Sequence, residues 1–281
     1  MTQPVENQTI LITGATDGLG KKVALDLAAR KAGVILHGRS PEKGWAVVEE
    51  IRKATGNRKI GYYNADFSSL DEVKALAGKI RADQNRLDVL INNAGIGPGP
   101  AGSGREESRD GYELRFAVNY LATFLPTRLL LPLLRDSAPS RIVNVASAGQ
   151  QSIDFDDVML ENGYNGLRAY RQSKLAMIMF TFDLAGQLKD SGITVNCLHP
   201  ATLMPTSMVL ETDYFAGTMD TVAQGAEAVE YLAASAELDG VSGAYFNGKM
   251  RAEAMPQAYD REALRKLREL SRRLTRPDDT A

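Results

Sequence analysis

Residues 9–20 read TILITGATDGLG, and the stretch that follows, KKVALDLAARKAG, spaces its apolar side chains at helical intervals. A short apolar strand, Thr9 to Thr13, therefore runs into a glycine-rich turn and out into a helix, the first half of a βαβ unit. Parallel strands need such a crossover, so this stretch selects an α/β architecture. The turn also has a chemical use. Glycines at 14, 18 and 20 let the backbone approach a pyrophosphate closely, and the helix start offers unpaired N–H groups with a partial positive charge. The first gap is longer than in G-x-G-x-x-G, and a plain tight turn needs glycine as well. Gly14, Thr16, Asp17, Gly18, Leu19 and Gly20 thus stand as candidates for a dinucleotide site.

Working outward, the second strand, GVILHGRS, ends where an NAD site carries an acid for the adenosine ribose. Here the position holds Arg39 and Ser40, a guanidinium and a hydroxyl suited to a 2′-phosphate. NADP(H) is expected in preference to NAD(H), against the plainer reading of a solvated arginine at a strand end. The alternation continues with a helix over 41–56, a strand over 59–66, a helix over 69–84 capped by Ser68 or Ser69, and a strand over 87–95. A loop over 96–111 precedes a long apolar helix over 112–137, in which Pro126 and Pro132 should bend the axis or shorten the hydrogen-bond ladder. Strands over 140–147 and 193–199, a helix over 221–234, a strand over 243–248 and a charged helix over 256–273 complete the pattern. The expectation is one Rossmann-type, doubly wound parallel sheet of about seven strands with helices on both faces, a single domain over 1–281. Asp66, Phe67, Asn93, Ala94 and Gly95 fall on its carboxyl edge, where ligands bind, though Asn93 and Gly95 also suit ordinary turns.

With 281 residues, 44% hydrophobic and 24% charged, the chain can bury a sizeable core. Its 33 basic and 35 acidic residues leave a net charge of −2, so no overall attraction to nucleic acid is expected. The single Cys197 sits in an apolar strand and suits a reducing compartment. No metal site is expected, because His37 and His199 lie far apart. No window reads as a membrane span and no leader is evident, which places the protein in the cytoplasm. The tail over 276–281 is expected to fray.

The stretch NGYNGLRAYRQSKLAMIMFTFDLAGQLKDSG over 162–192 carries Tyr170 and Lys174 four apart, on one face of a helix. A phenol has a pKa of about 10, and a neighbouring cation would lower it toward useful acid–base chemistry. The bland alternative is a core-edge tyrosine beside a solvated lysine. Asn119, a polar residue in an apolar helix, is either a bridge to backbone or part of a site. Ser147 ends its strand at the ligand edge.

In combination and in order, Thr13-Gly14-x-x-x-Gly18-x-Gly20, Asn92-Asn93-Ala94-Gly95, Asn119, Ser147 and Tyr170-x-x-x-Lys174 resemble the short-chain dehydrogenase/reductase family over nearly the whole chain. The resemblance implies that Tyr170 is the general acid or base, that Lys174 lowers its pKa and holds the nicotinamide ribose, that Ser147 orients the substrate oxygen and that Asn119 supports a proton-relay water. It also sets Pro200 and Thr202 beside the nicotinamide, with Ala201 where many relatives have glycine. The segments HGRSPEKG, 163–174 and HPAT are most similar to the retinol dehydrogenase and WW-domain oxidoreductase-like branch. An NADP(H)-dependent oxidoreductase acting on a lipophilic carbonyl or alcohol is the favoured function; the alternative is a catalytically silent NADP-sensing or scaffold protein. Residues 201–218 read as an apolar lid over the substrate. Apolar residues on several helix faces, Phe124, Met177 and Phe180 among them, point to a homodimer or homotetramer.

Overall fold

A computed structural model describes residues 3–276; the expected fraying of the tail from residue 277 onward lies outside them. The first strand, β1 (Thr9–Ile12), leads through the glycine turn into α1 (Gly18–Ala29). Then come β2 (Gly33–Gly38), α2 (Pro41–Thr55), β3 (Ile60–Asn64), α3 (Leu70–Asp83) and β4 (Val89–Asn92). A π-helical segment, Phe116–Leu121, opens α4 (Ala122–Asp136), followed by β5 (Ser140–Val145), α5 (Gly166–Gln187) and β6 (Ile193–His199). The chain closes with α6 (Ser207–Leu210), α7 (Val222–Ala234), β7 (Tyr245–Asn247), β8 (Met250–Ala252) and α8 (Arg261–Thr275).

The strands form one eight-stranded sheet in the order β3-β2-β1-β4-β5-β6-β7-β8. All neighbours are parallel except β8, which folds back antiparallel on β7 and adds a strand the sequence pattern does not show. Strand order reverses between β1 and β4, and in such sheets the crevice at that switch point is where ligands bind. Side chains alternate across the sheet: Ile10 and Ile12 face the α1, α2 and α7 layer, while Leu11 faces α3, α4 and α5. Two buried apolar layers therefore clamp the sheet rigidly, and the carboxyl ends of its strands are left to carry loops.

Three expectations change. The helix expected over 112–137 is irregular at its start, where the π segment carries Asn119, and Pro126 and Pro132 both lie inside α4. Residues Phe116–Asp136 do satisfy the length and apolarity of a membrane span, contrary to the sequence reading, although 78% of the apolar window is buried within the fold. The side chains behind the expected two-fold interface are also buried inside one chain, Phe124 at 3%, Met177 at 0% and Phe180 at 4% exposure. Phe124 and Phe180 join Phe116 and Tyr120 in an aromatic cluster, and α8 packs over it, with the Tyr120 and Ser271 hydroxyls 2.6 Å apart. The apolar excess is thus satisfied by the C-terminal helix and gives no argument for a partner subunit.

Candidate active site

Thr13 is the hub of the switch point. Its Oγ1 accepts from the backbone N–H of Asn93 and of Ala94, each at 3.0 Å, while the Asn93 amide donates back to the carbonyls of Thr13 and Gly14. The Asn93 side chain therefore holds the turn in shape. Gly14 and Gly18 take positive φ, +64° and +50°, and a Cβ on Gly20 would stand 2.3 Å from the Gly14 carbonyl oxygen. Such a cradle excludes side chains and lets an anion approach the backbone at the start of α1.

His37 stabilises this cradle from behind. Its Nδ1 accepts from Gly14 N–H at 3.4 Å, its Nε2 lies 3.1 Å from the Ala65 carbonyl, and its ring stacks on Phe67 at 4.1 Å. Burial lowers its pKa to about 4, so it is neutral at ordinary pH. The strand-end setting hides this role in the sequence.

At the outer end of the same cavity Arg39 is exposed, and Lys43 from the first turn of α2 stands with it. Lys43 was not singled out in the sequence, although its place three residues after Ser40 is a readable signal. Ser40 departs from expectation. Its hydroxyl caps α2, accepting from Lys43 N–H at 3.2 Å, and donates to Glu42 at 2.8 Å, so it is not free for a phosphate. Asp66 is pushed up by burial, but hydrogen bonds from Ser68 and the nearby Arg109 and Arg39 outweigh this and hold its carboxyl below the usual range. The Asp17 carboxylate likewise has fixed partners, Gly18 N–H at 2.7 Å and the Ser207 hydroxyl at 3.2 Å, linking the glycine turn to α6.

The chemical end is built by β5 and α5. Ser147 Oγ accepts from Gly149 N–H at 3.0 Å, and its hydroxyl hydrogen remains available to a ligand or to Tyr170. Lys174 is 2% exposed; its ammonium donates to the Val145 carbonyl at 2.9 Å and lies 5.8 Å from the Tyr170 ring centroid. Burial pushes Tyr170 up, against a lowering hydrogen bond with Ser147, and lowers Lys174 to about 8. Each group is thus biased toward its neutral form. The four-residue spacing suggested that the lysine would acidify the phenol, but burial is the larger influence on both.

Asn119 is fully buried and bridges to backbone: its Oδ1 accepts from Ile96 N–H at 2.7 Å, and its amide donates to the Ile96 carbonyl and to Ser173 Oγ. It does not line the cavity, so any direct contact with a ligand falls to its neighbours. Beneath the site runs a buried chain that the sequence reading missed, Thr127 to Asn92 to Asn144 to Thr181, with contacts of 2.8–2.9 Å that tie α4, β4, β5 and α5 together. The asparagines near the carboxyl ends of two apolar strands were its signal.

All of Gly14, Thr16, Asp17, Gly18, Leu19, Gly20, Arg39, Ser40, Asp66, Phe67, Asn93, Ala94, Gly95, Ser147, Tyr170, Lys174, Pro200 and Thr202 line one cavity of about 1170 Å³. That exceeds the roughly 300–1,000 Å³ of a pocket for one drug-sized ligand. Thr202 Oγ1 contacts His199 Nε2 at 3.0 Å, and its N–H donates to Asp220. Glycine cradle, exposed cations at one end and a hydroxyl–phenol–ammonium group at the other fit a dinucleotide lying across the sheet edge with a small molecule beside it.

A doubly wound sheet with this constellation at its switch point defines a nucleotide-binding oxidoreductase scaffold. The chain belongs to the short-chain dehydrogenase family, whose model matches residues 8–214. It is 38% identical to human retinol dehydrogenase 13 over 96% of this chain and 85% of the relative, and 37% identical to human retinol dehydrogenase 14 over 95% and 86%. Among solved structures it resembles an uncharacterized protein of Mycobacterium paratuberculosis, with a TM-score of 0.79, 27% identity and coverage of 98% and 96%. It also resembles an Escherichia coli short chain dehydrogenase complexed with NADPH, with a TM-score of 0.71, 27% identity and coverage of 86% and 97%.

Proposed function

We propose that this chain is an NADP(H)-dependent oxidoreductase for a carbonyl or alcohol carbon of a small molecule with an apolar body. The observation that carries the proposal is the single cavity shared by Ser147, Tyr170 and Lys174 at one end and by Arg39 and Lys43 at the other. The nicotinamide, when bound, supplies or accepts the hydride. The chain does the rest. Gly14 to Gly20 hold the pyrophosphate, and Arg39 with Lys43 meets the 2′-phosphate. Ser147 donates to the substrate oxygen, and Tyr170, kept protonated by burial, gives its proton to that oxygen during reduction. Lys174, lowered to about 8, can exchange a proton near neutral pH. NADPH in the Escherichia coli structure and the alcohol in the names of the retinol dehydrogenases support cofactor and reaction class. Residues 201–218 act as the lid.

The test is turnover of a panel of aldehydes, ketones and alcohols, followed by NADPH absorbance, for wild type and Tyr170→Phe. Loss of roughly 10²–10⁴ in turnover with NADPH affinity retained is the expected result for removing a general acid. Wild type that binds NADPH and turns over nothing favours a silent NADP sensor.

A further inference from the structure

Leu167, Tyr170, Arg171 and Lys174 follow one another at helical spacing on α5, and all four line the cavity. The proposed chemistry uses Tyr170 and Lys174 and leaves Arg171 without a task. Other arginines of the chain are held by acids: Arg168 by Asp154 at 3.0 Å, Arg115 by Glu106 at 2.9 Å, and Arg109 by Asp66 and Glu72. Among the described residues nothing offers the half-buried Arg171 guanidinium a hydrogen bond or an ion pair. Glu211 also lines the cavity, and among the described residues it forms no ion pair with Arg171.

Gly149 shows how near the stem of Arg171 is to the reacting groups. A Cβ built there would lie 3.4 Å from Ser147 Oγ, 3.7 Å from Tyr170 Cε1 and 3.8 Å from Arg171 Cγ. The stem of Arg171 therefore rises from the patch that holds the hydroxyl and the phenol. The cavity it lines also carries apolar side chains, Leu114, Val118, Leu167, Val209 and Phe215 among them. A partly desolvated guanidinium gains most from an anion, and its planar fork matches a carboxylate or a phosphate with two parallel hydrogen bonds.

Building on the oxidoreductase reading above, we propose that Arg171 anchors an anionic group carried by the substrate, which makes the substrate class an oxo acid or hydroxy acid with an apolar body. The anchor fixes one end of the molecule while Ser147 and Tyr170 receive the oxygen at the other. Arg39 and Arg171 then divide the labour, one cation for the cofactor end and one for the substrate end.

The test compares azelaic semialdehyde and succinic semialdehyde with their methyl esters as substrates for wild type, Arg171→Gln and Arg171→Lys. Wild type should show a KM for at least one free acid about tenfold or more below that of its ester, as for loss of a charge-assisted contact. Arg171→Gln should close the gap by raising the acid's KM alone, with ester kinetics and melting temperature unchanged, and Arg171→Lys should restore part of it. Equal kinetics for acid and ester in wild type, or equal effects of Arg171→Gln on both, overturn the anchor while leaving the oxidoreductase intact. If no aldehyde is turned over, calorimetry of azelate and succinate binding in the presence of NADP decides separately: binding of either that Arg171→Gln weakens about tenfold supports the anchor, and no binding, or binding unchanged by the variant, overturns it.

Discussion

The Lys174 ammonium hangs from the Val145 carbonyl at 2.9 Å, so the buried cation of the site is suspended from the last residue of β5, two positions before Ser147. One strand thereby positions the hydroxyl directly and the lysine through its backbone. The arrangement has a thermodynamic cost, because burial lowers Lys174 from its ordinary value of 10.5 to about 8. Below pH 8 both folded and unfolded chains carry the proton and the full burial penalty is present; between about 8 and 10.5 the folded chain releases it first, so stability rises with pH. Lys174→Met should be inactive yet melt higher than wild type at pH 7, with the gap narrowing as pH climbs through that window. Melting curves that show the variant several degrees below wild type at pH 7 would overturn this account.

Arg39 should set cofactor choice. A guanidinium contact with phosphate contributes roughly 1.5–3 kcal/mol, which is tenfold or more in affinity. Titration of NADPH and NADH should show their affinity ratio falling by about that factor in Arg39→Ala and by less in Lys43→Ala. A ratio unchanged by Arg39→Ala removes the assignment.

His37 should shape the acid limb of stability. Its folded pKa of about 4 lies below the ordinary 6.5, so the unfolded chain takes up a proton first as pH falls from 6.5 toward 4, and stability is lost in that window. His37→Leu should flatten this part of the denaturation profile. It should also weaken NADPH binding at pH 7, because Gly14 N–H and the Ala65 carbonyl lose their partner. An unchanged acid limb would show that His37 is not the group responsible.

The proposed lid should move at α6, between fixed points on either side. Met219 and Asp220 donate backbone N–H groups to the Leu203 and Thr202 carbonyls, and Thr212 Oγ1 is tied to the Gly99 carbonyl, whereas no residue of α6 is buried. Hydrogen exchange should find the amides of 219 and 220 protected from the start and those of 207–211 protected only when cofactor and substrate are added. Strong protection of 207–211 in the free protein would make the segment a fixed wall.

Much of this site was legible because its chemistry is tied to element ends, and the ends are marked by residues with few alternatives. Glycines 14, 18 and 20 announce the turn, and the spacing of Tyr170 and Lys174 places both on the cavity side of α5. What stayed hidden depends on long-range contact. Ser40 reads as a phosphate ligand until its hydroxyl is found capping α2, and Asn119 reads as open to either role until Ile96 is found on both sides of its amide. The sign of the Tyr170 shift was likewise invisible, since spacing reports proximity of the lysine but not the depth at which both groups are buried. Phe124 and Phe180 looked like a surface for a second subunit because the helix that covers them comes far later in the chain.

That late cover, α8, bears on how the polypeptide matures. Tyr120 meets Ser271 across 151 residues of sequence, and Arg268 reaches Asp183 at 3.4 Å, so the layer beneath Tyr170 is sealed by an element that leaves the ribosome after every sheet strand has been made. The glycine-turn half can settle while synthesis continues; the half that carries the phenol must wait. A nascent chain arrested before Arg261 should therefore show protease-resistant β1 to β4 and cleavable α5, the mature pattern arriving only with the final helix.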